Sequence, residues 1–154
     1  MKKAKEYLQQ AEDMNTVINN KMAEKAQWKA IALGITSHSE GERVQSSGSQ
    51  SKMADAITRC IDIESEIDRL VDRLIDLKQE IIRTIECLNA TEYDVLHKRY
   101  IQGMTFDEIG AAKGKSKSWA TTVHGRALQN VQKILDAREQ EKNQILKEMI
   151  QKYM

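Results

Sequence analysis

The apolar positions of this chain fall into helical spacings over most of its length. In residues 1–33, Tyr7, Leu8, Ala11, Met14, Ile18, Met22 and Trp28 recur at three- and four-residue steps and at short multiples of them, which predicts one long helix. Its stripe is thin, and Asn15, Asn19, Asn20 and Lys25 interrupt it. A helix this polar is marginal alone and is expected to pack on a partner element, with Trp28 as a core or interface anchor. The pattern stops over residues 34–52, which hold three glycines, six serines and a threonine. Such a run buries too little apolar area to offset its ordering entropy, so it reads as a flexible linker. Its other use would be an arm touching DNA through Arg43 and the serines.

Periodicity returns most strongly over residues 53–90. Ala56, Cys60, Ile63, Ile67, Leu70, Leu74, Leu77, Ile81, Thr84 and Leu88 alternate steps of four and three, and only Thr84 is polar. A sustained seven-residue repeat predicts a long coiled-coil-like helix. Ile57, Ile61, Val71, Ile75, Ile82 and Ile85 widen the apolar face, which suits a bundle or an oligomer better than a lone two-stranded coil. The acidic residues between them, with Arg59, Arg69 and Arg73, are expected to form a solvated face making small i, i+4 contributions.

Residues 91–135 predict two short helices and a longer third. Thr91 reads as an N-cap with Asp94 three residues on, and Thr105 as another, with Glu108 completing a capping box. Gly103 and Gly114 are placed to stop helices with positive φ, and Ser116 caps the third helix. Val95, Leu96 and Tyr100, then Phe106, Ile109 and Ala112, then Ala120, Val123 and Ala127 line the three inner faces. This succession is a helix-turn-helix. The third helix is expected to continue past residue 135, because no breaker follows, and Ile145, Leu146, Met149, Ile150 and Tyr153 form a last short stripe able to dock on the heptad helix or a second copy. The fold class is therefore all-α: residues 1–33 as an N-terminal helix, 34–52 as linker, 53–90 as the heptad helix, and 91–154 as a helix-turn-helix unit with an extended last helix.

Composition narrows the classes of function. Charged residues make up 31% of the 154 and no proline occurs. Mean hydropathy is −0.60, and no apolar run approaches the roughly 18 to 20 residues a membrane helix needs. The start of the chain lacks the apolar core of a signal peptide, so a cytoplasmic protein is expected. Cys60 and Cys87 both fall on apolar stripes and read as small core hydrophobes rather than a disulfide. His38, His97 and His124 lack the spacing or partners of a zinc site, and no nucleophile–base constellation or phosphate loop stands out. No enzymatic activity, metal or cofactor is expected. His124, on the edge of the third helix, reads as a surface or phosphate-facing residue. The net charge of +1 is unevenly spread: seven basic against four acidic residues leave +3 over residues 91–135, and six against nine leave −3 over 51–90.

The outward face of the third helix carries the candidate chemistry. Ser118, Thr121, Thr122 and Gly125 point away from the core, with Lys117 and Arg126 beside them and Lys115 and Ser116 at the helix start. Short polar and basic side chains near the N-terminus of such a helix reach base edges in the major groove, while the cations neutralise phosphates. Gly125 costs the helix about 1 kcal/mol against alanine and leaves room for close approach.

The run YIQGMTFDEIGAAKGKSKSWATTVHGRALQNVQKIL resembles region four of bacterial sigma factors, through Arg99, Tyr100, Gly103, Thr105, Glu108, Ile109, Ser116, Ala127 and Leu128. The run from Val123 to Gln129 is more similar to a narrower group, small sigma-like phage proteins that activate late transcription, the ArpU-like regulators. A weaker likeness reaches upstream to residues 40–47. The resemblance implies a promoter-reading third helix, with Lys117, Ser118, Thr121 and Thr122 toward bases and Arg126 on phosphate, and RNA polymerase as a further partner. Sigma factors commonly carry Arg and Glu at several of these places, so the −35 sequence preference does not carry over. Three functions follow: a sequence-specific DNA-binding regulator, as a homodimer on promoter DNA in a phage-infected cytoplasm; a protein-interaction module binding polymerase or a host factor without DNA; and a DNA-packaging protein like the phage terminase small subunits, which assemble as rings.

Overall fold

A computed structural model describes residues 3–34 and 47–154. They form α1 (Ala4–Ala32), α2 (Ser47–Ile85), α3 (Ala90–Leu96), which runs into a π-helical turn (His97–Ile101), α4 (Phe106–Ala112) and α5 (Lys117–Tyr153). No strand occurs among the described residues, and the all-α expectation holds. The heptad helix begins at Ser47 rather than 53, so the end of the expected linker is helical. Residues 35–46, the remainder of that linker after Gly34, lie outside the described residues, as does Arg43 of the suggested arm.

The chain divides into two units. One joins the chain up to Glu12 with Asp76–Met154; the other is Asp13–Ile75.

In the first unit, α3, α4 and α5 close over Val95, Ile109, Ala120 and Val123, all 1% exposed or less, with Met104, Phe106 and Trp119 packed against them. Leu96, Ala127 and Val131 extend this core, and Tyr7, Leu8, Ala11, Ile81 and Ile85 are buried in the same unit. Ala112, expected on the inner face of α4, is exposed, because the seven-residue helix turns it out beside the turn that follows. Thr84, the polar member of the heptad, is fully buried and its hydroxyl is used in full. It donates to the Glu80 carbonyl (3.0 Å), lies 2.9 Å from the Tyr7 hydroxyl and accepts from Arg138 Nη1 at 2.7 Å. A buried hydroxyl costs stability unless it is so partnered. Ala4 N–H donates to Gln132 Oε1 at 2.7 Å, tying the start of α1 to α5. Cys87 is exposed rather than in the core, its thiol donating to the Arg83 carbonyl. Beyond Asp136 every residue of α5 is exposed, Ile145, Leu146, Met149 and Ile150 by about half.

In the second unit, α1 and α2 run antiparallel. Ile18, Ala56, Ile63 and Leu74 are buried. The charges of α2 do more than decorate a wet face. Arg59 reaches Glu24 of α1 at 3.0 Å, Lys21 reaches Glu66 at 2.8 Å, and Lys25 approaches Glu64 at 3.7 Å. These pairs favour the partner and register of two helices whose apolar seam alone is thin, though each is weak at such exposure. Trp28 is half-buried and its Nε1 approaches Glu24 Oε1 at 3.4 Å. Ile57, Ile61, Val71 and Ile75 stay 36–61% exposed.

Candidate DNA-binding surface

The surface is set by how α5 starts. Gly114 adopts φ +65°, ending α4, and Lys115 N–H donates to the Gly110 carbonyl at 2.8 Å. Ser116 then caps α5, its Oγ accepting from Trp119 N–H at 3.1 Å. The turn lies so tightly on α4 that a Cβ on Gly110 would stand 2.7 Å from the Ser116 carbonyl oxygen and 3.0 Å from that of Lys115. Gly110 is a residue that the pattern of apolar positions did not single out; its signal is a glycine inside a capped helix, where one is disfavoured by about 1 kcal/mol unless packing demands it. At the preceding turn Gly103 takes φ +72°, and Arg99 Nη1 donates to the Met104 carbonyl at 3.1 Å while its guanidinium lies 4.6 Å above the Phe106 ring.

The cap of α3 is not where Thr91 suggested it. Asn89 holds the extended backbone of an N-cap and its Oδ1 accepts from Glu92 N–H at 2.9 Å, which places Thr91 inside the first turn. Asp94 does not reach back to a cap but binds Lys98 and, at 2.8 Å, Lys113. Burial pushes the Asp94 carboxyl up, and the two lysines outweigh it and hold it below the usual aspartate value. Thr105 caps α4 as expected, accepting from Glu108 N–H at 3.2 Å. The Glu92 carboxylate, 7% exposed, accepts from Asn130 Nδ2 at 3.0 Å on both oxygens and so locks α3 onto α5.

All eight residues singled out for DNA contact, Lys115, Ser116, Lys117, Ser118, Thr121, Thr122, Gly125 and Arg126, are exposed. The inner face of the same helix, Ala120, Val123 and Ala127, is buried. Ser118, Thr121, Thr122 and Gly125 lie at i, i+3, i+4 and i+7 and so share one outward face. Thr121 and Thr122 both donate their hydroxyl protons to the Ser118 carbonyl, at 2.9 and 2.8 Å. Nothing stands within 4 Å of a Cβ built on Gly125. Lys117 flanks this face, 4.0 Å from Asp107 with both side chains mostly exposed. Arg126 turns to the opposite flank, where it lines a cavity of about 280 Å³ with Asn89, Ala90, Thr91, Glu92 and Val123.

His124 departs from expectation. It is half-buried, its Nε2 is 2.7 Å from the Tyr100 hydroxyl, and its ring packs edge-on against Phe106 with centroids 4.9 Å apart. Burial, with Arg99 and Lys5 nearby, pushes its pKa down to about 4, so it is neutral at ordinary pH and attracts no phosphate. The apparent charge of the region also shrinks in three dimensions. Lys98 and Lys113 are occupied by Asp94, and Arg99 by the Met104 carbonyl and Phe106. Lys113 is exposed but tied to Asp94, which leaves Lys115, Lys117, Arg126 and Lys133 as the exposed basic residues of residues 91–135 outside these ties, with Lys117 only loosely drawn to Asp107. Among the described residues there is no cluster of His, Cys, Asp or Glu able to hold a metal ion, and no helix long and apolar enough to cross a membrane.

No curated protein and no solved structure matches the chain. Residues 84–133, from the last turn of α2 to the middle of α5, match the family model of Sigma-70, region 4, and this part of the chain is a region-4-like helix-turn-helix.

Proposed function

We propose that the protein is a sequence-specific DNA-binding transcription regulator, a phage late-gene activator making sigma-like contact with promoter DNA in the host cytoplasm. One observation carries this: the third helix of a region-4-like fold turns an exposed, short polar face outward at its N-terminal half, flanked by Lys117 and Arg126. Lys115, Lys117 and Arg126 would neutralise phosphates, Ser116 and Ser118 would contact backbone or base edges, Thr121 and Thr122 would read bases, and Gly125 would admit the groove wall. RNA polymerase is the second partner the reading implies. A homodimer is supported by Ile57, Ile61, Val71 and Ile75, left exposed along one side of α2; sedimentation should give twice the chain mass, and a ring of many copies would favour a packaging role instead.

The test is fluorescence anisotropy on promoter-bearing and random duplexes over a salt series. Specific binding should outlast non-specific binding by several kcal/mol. Lys117→Ala and Arg126→Ala should each lower the slope of log K against log salt by about 0.9. One feature favours a second reading, a protein-interaction module: the basic residues occupied within the fold leave a weakly positive surface. No salt-dependent binding to any duplex, together with direct binding to purified polymerase, would establish that reading.

A further inference from the structure

We infer that Thr121 and Thr122 read A·T base pairs, their hydroxyl oxygens accepting from adenine amino groups and their methyls meeting thymine methyls. The inference rests on the DNA-binding reading above and deepens it. A threonine hydroxyl has one proton, and in both residues it is committed to the same acceptor, the Ser118 carbonyl, at 2.9 and 2.8 Å. What each exposed side chain retains for a ligand is oxygen lone pairs and a methyl group. In the major groove, guanine offers acceptors at N7 and O6, which lone pairs repel. Cytosine offers an amino donor but no methyl. Only an A·T pair offers an amino donor and a methyl together. Turning either proton toward a base acceptor would break its bond to Ser118, so the hydroxyls are pre-set as acceptors. The open space at Gly125, one turn further along the same face, lets the groove wall come up to them.

The test begins with selection of bound duplexes from a random pool by the full chain, by Thr121→Val and Thr122→Val, which keep a methyl and remove the hydroxyl, and by Thr121→Ser and Thr122→Ser, which do the reverse. Both positions are exposed helix sites, and circular dichroism verifies that the four variants fold. The pairs relaxed by the variants should be A·T in the wild-type selection. At those pairs, uracil for thymine and 2-aminopurine for adenine should each weaken wild-type binding about two- to tenfold. The serine variants should be indifferent to uracil and the valine variants to 2-aminopurine. Guanine or cytosine at the relaxed pairs, or analogues without effect on the wild type, would overturn the inference while leaving DNA binding intact. Absence of any enriched sequence and of salt-dependent binding would instead overturn the DNA-binding reading beneath it.

Discussion

Gly110 and His124 are the two residues whose roles are set by what lies against them. At Gly110, alanine would gain about 1 kcal/mol in helix propensity. Its Cβ, however, would meet backbone atoms of Lys115 and Ser116, not the end of a flexible side chain, so the turn itself must shift. Overpacking of that kind costs about 1–3 kcal/mol and wins over propensity. Gly110→Ala should therefore lower the melting temperature followed by circular dichroism, and weaken DNA binding by displacing the Ser116 cap; an unchanged or higher melting point would show that the turn has slack. At His124 the folded pKa is about 4 against about 6.5 in an unfolded chain. Between those values the unfolded chain binds a proton that the folded one refuses, so stability is present above about pH 6.5 and is lost as pH falls toward 4. Discounted for partial solvent exposure, the loss is about 1–3 kcal/mol. Asp94, Glu24 and Glu66, whose carboxyls are held low, act only at the acid end of this range. Urea unfolding between pH 7 and 5 should thus show a decline that His124→Gln flattens; parallel profiles for the two proteins would contradict it.

The elements differ in how plainly their sequence announced them. The heptad of α2 was legible because a seam buried along one line repeats every seven residues, and Ala56, Ile63, Leu74, Ile81 and Thr84 are indeed buried. The caps at Thr105 and Ser116 and the positive φ at Gly103 and Gly114 were legible because each is a local requirement of the chain. The exposed polar face of α5 was legible for the same reason, as the outward side of a periodic helix. Pairings between distant residues were not. Glu92 with Asn130, Arg99 with Phe106 and Tyr100 with His124 depend on which side chains the turns bring together, and spacing is silent on that. The π-helical turn His97–Ile101 had no signal either. The start of α3 lies between these cases, since Asn89 and Thr91 are both good caps and only the backbone chooses. If Asn89 is the cap, Asn89→Ala should cost about 1 kcal/mol while Thr91→Ala changes stability by less than half that. The reverse order in urea unfolding would restore Thr91.

On the scale of the whole molecule, the helix-turn-helix is not complete in the stretch that carries its family signature. Residues 84–133 hold the three short-range elements, yet the unit they belong to also takes in the chain up to Glu12 and continues to Met154. Leu8 is fully buried, Tyr7 is 6% exposed with its hydroxyl against Thr84, and Ala4 is hydrogen-bonded to Gln132. The first turns of α1 thus supply apolar cover and polar ties to a module that begins some eighty residues later in the chain. This explains why the thin stripe of α1 is tolerated: its earliest residues are its most deeply buried, and they are used where α2 and α5 need them. Leu8→Ala should then destabilise the helix-turn-helix module itself, by about 2–5 kcal/mol. Amide exchange at Val95, Ile109 and Val123, none of them near Leu8 in sequence, should quicken accordingly. A fragment of residues 76–154 should lose the same protection, and adding a peptide of residues 1–12 in excess should restore part of it by mass action. If the fragment alone keeps full protection at those three amides, the N-terminal segment is an accessory, and the region-4-like module folds without it.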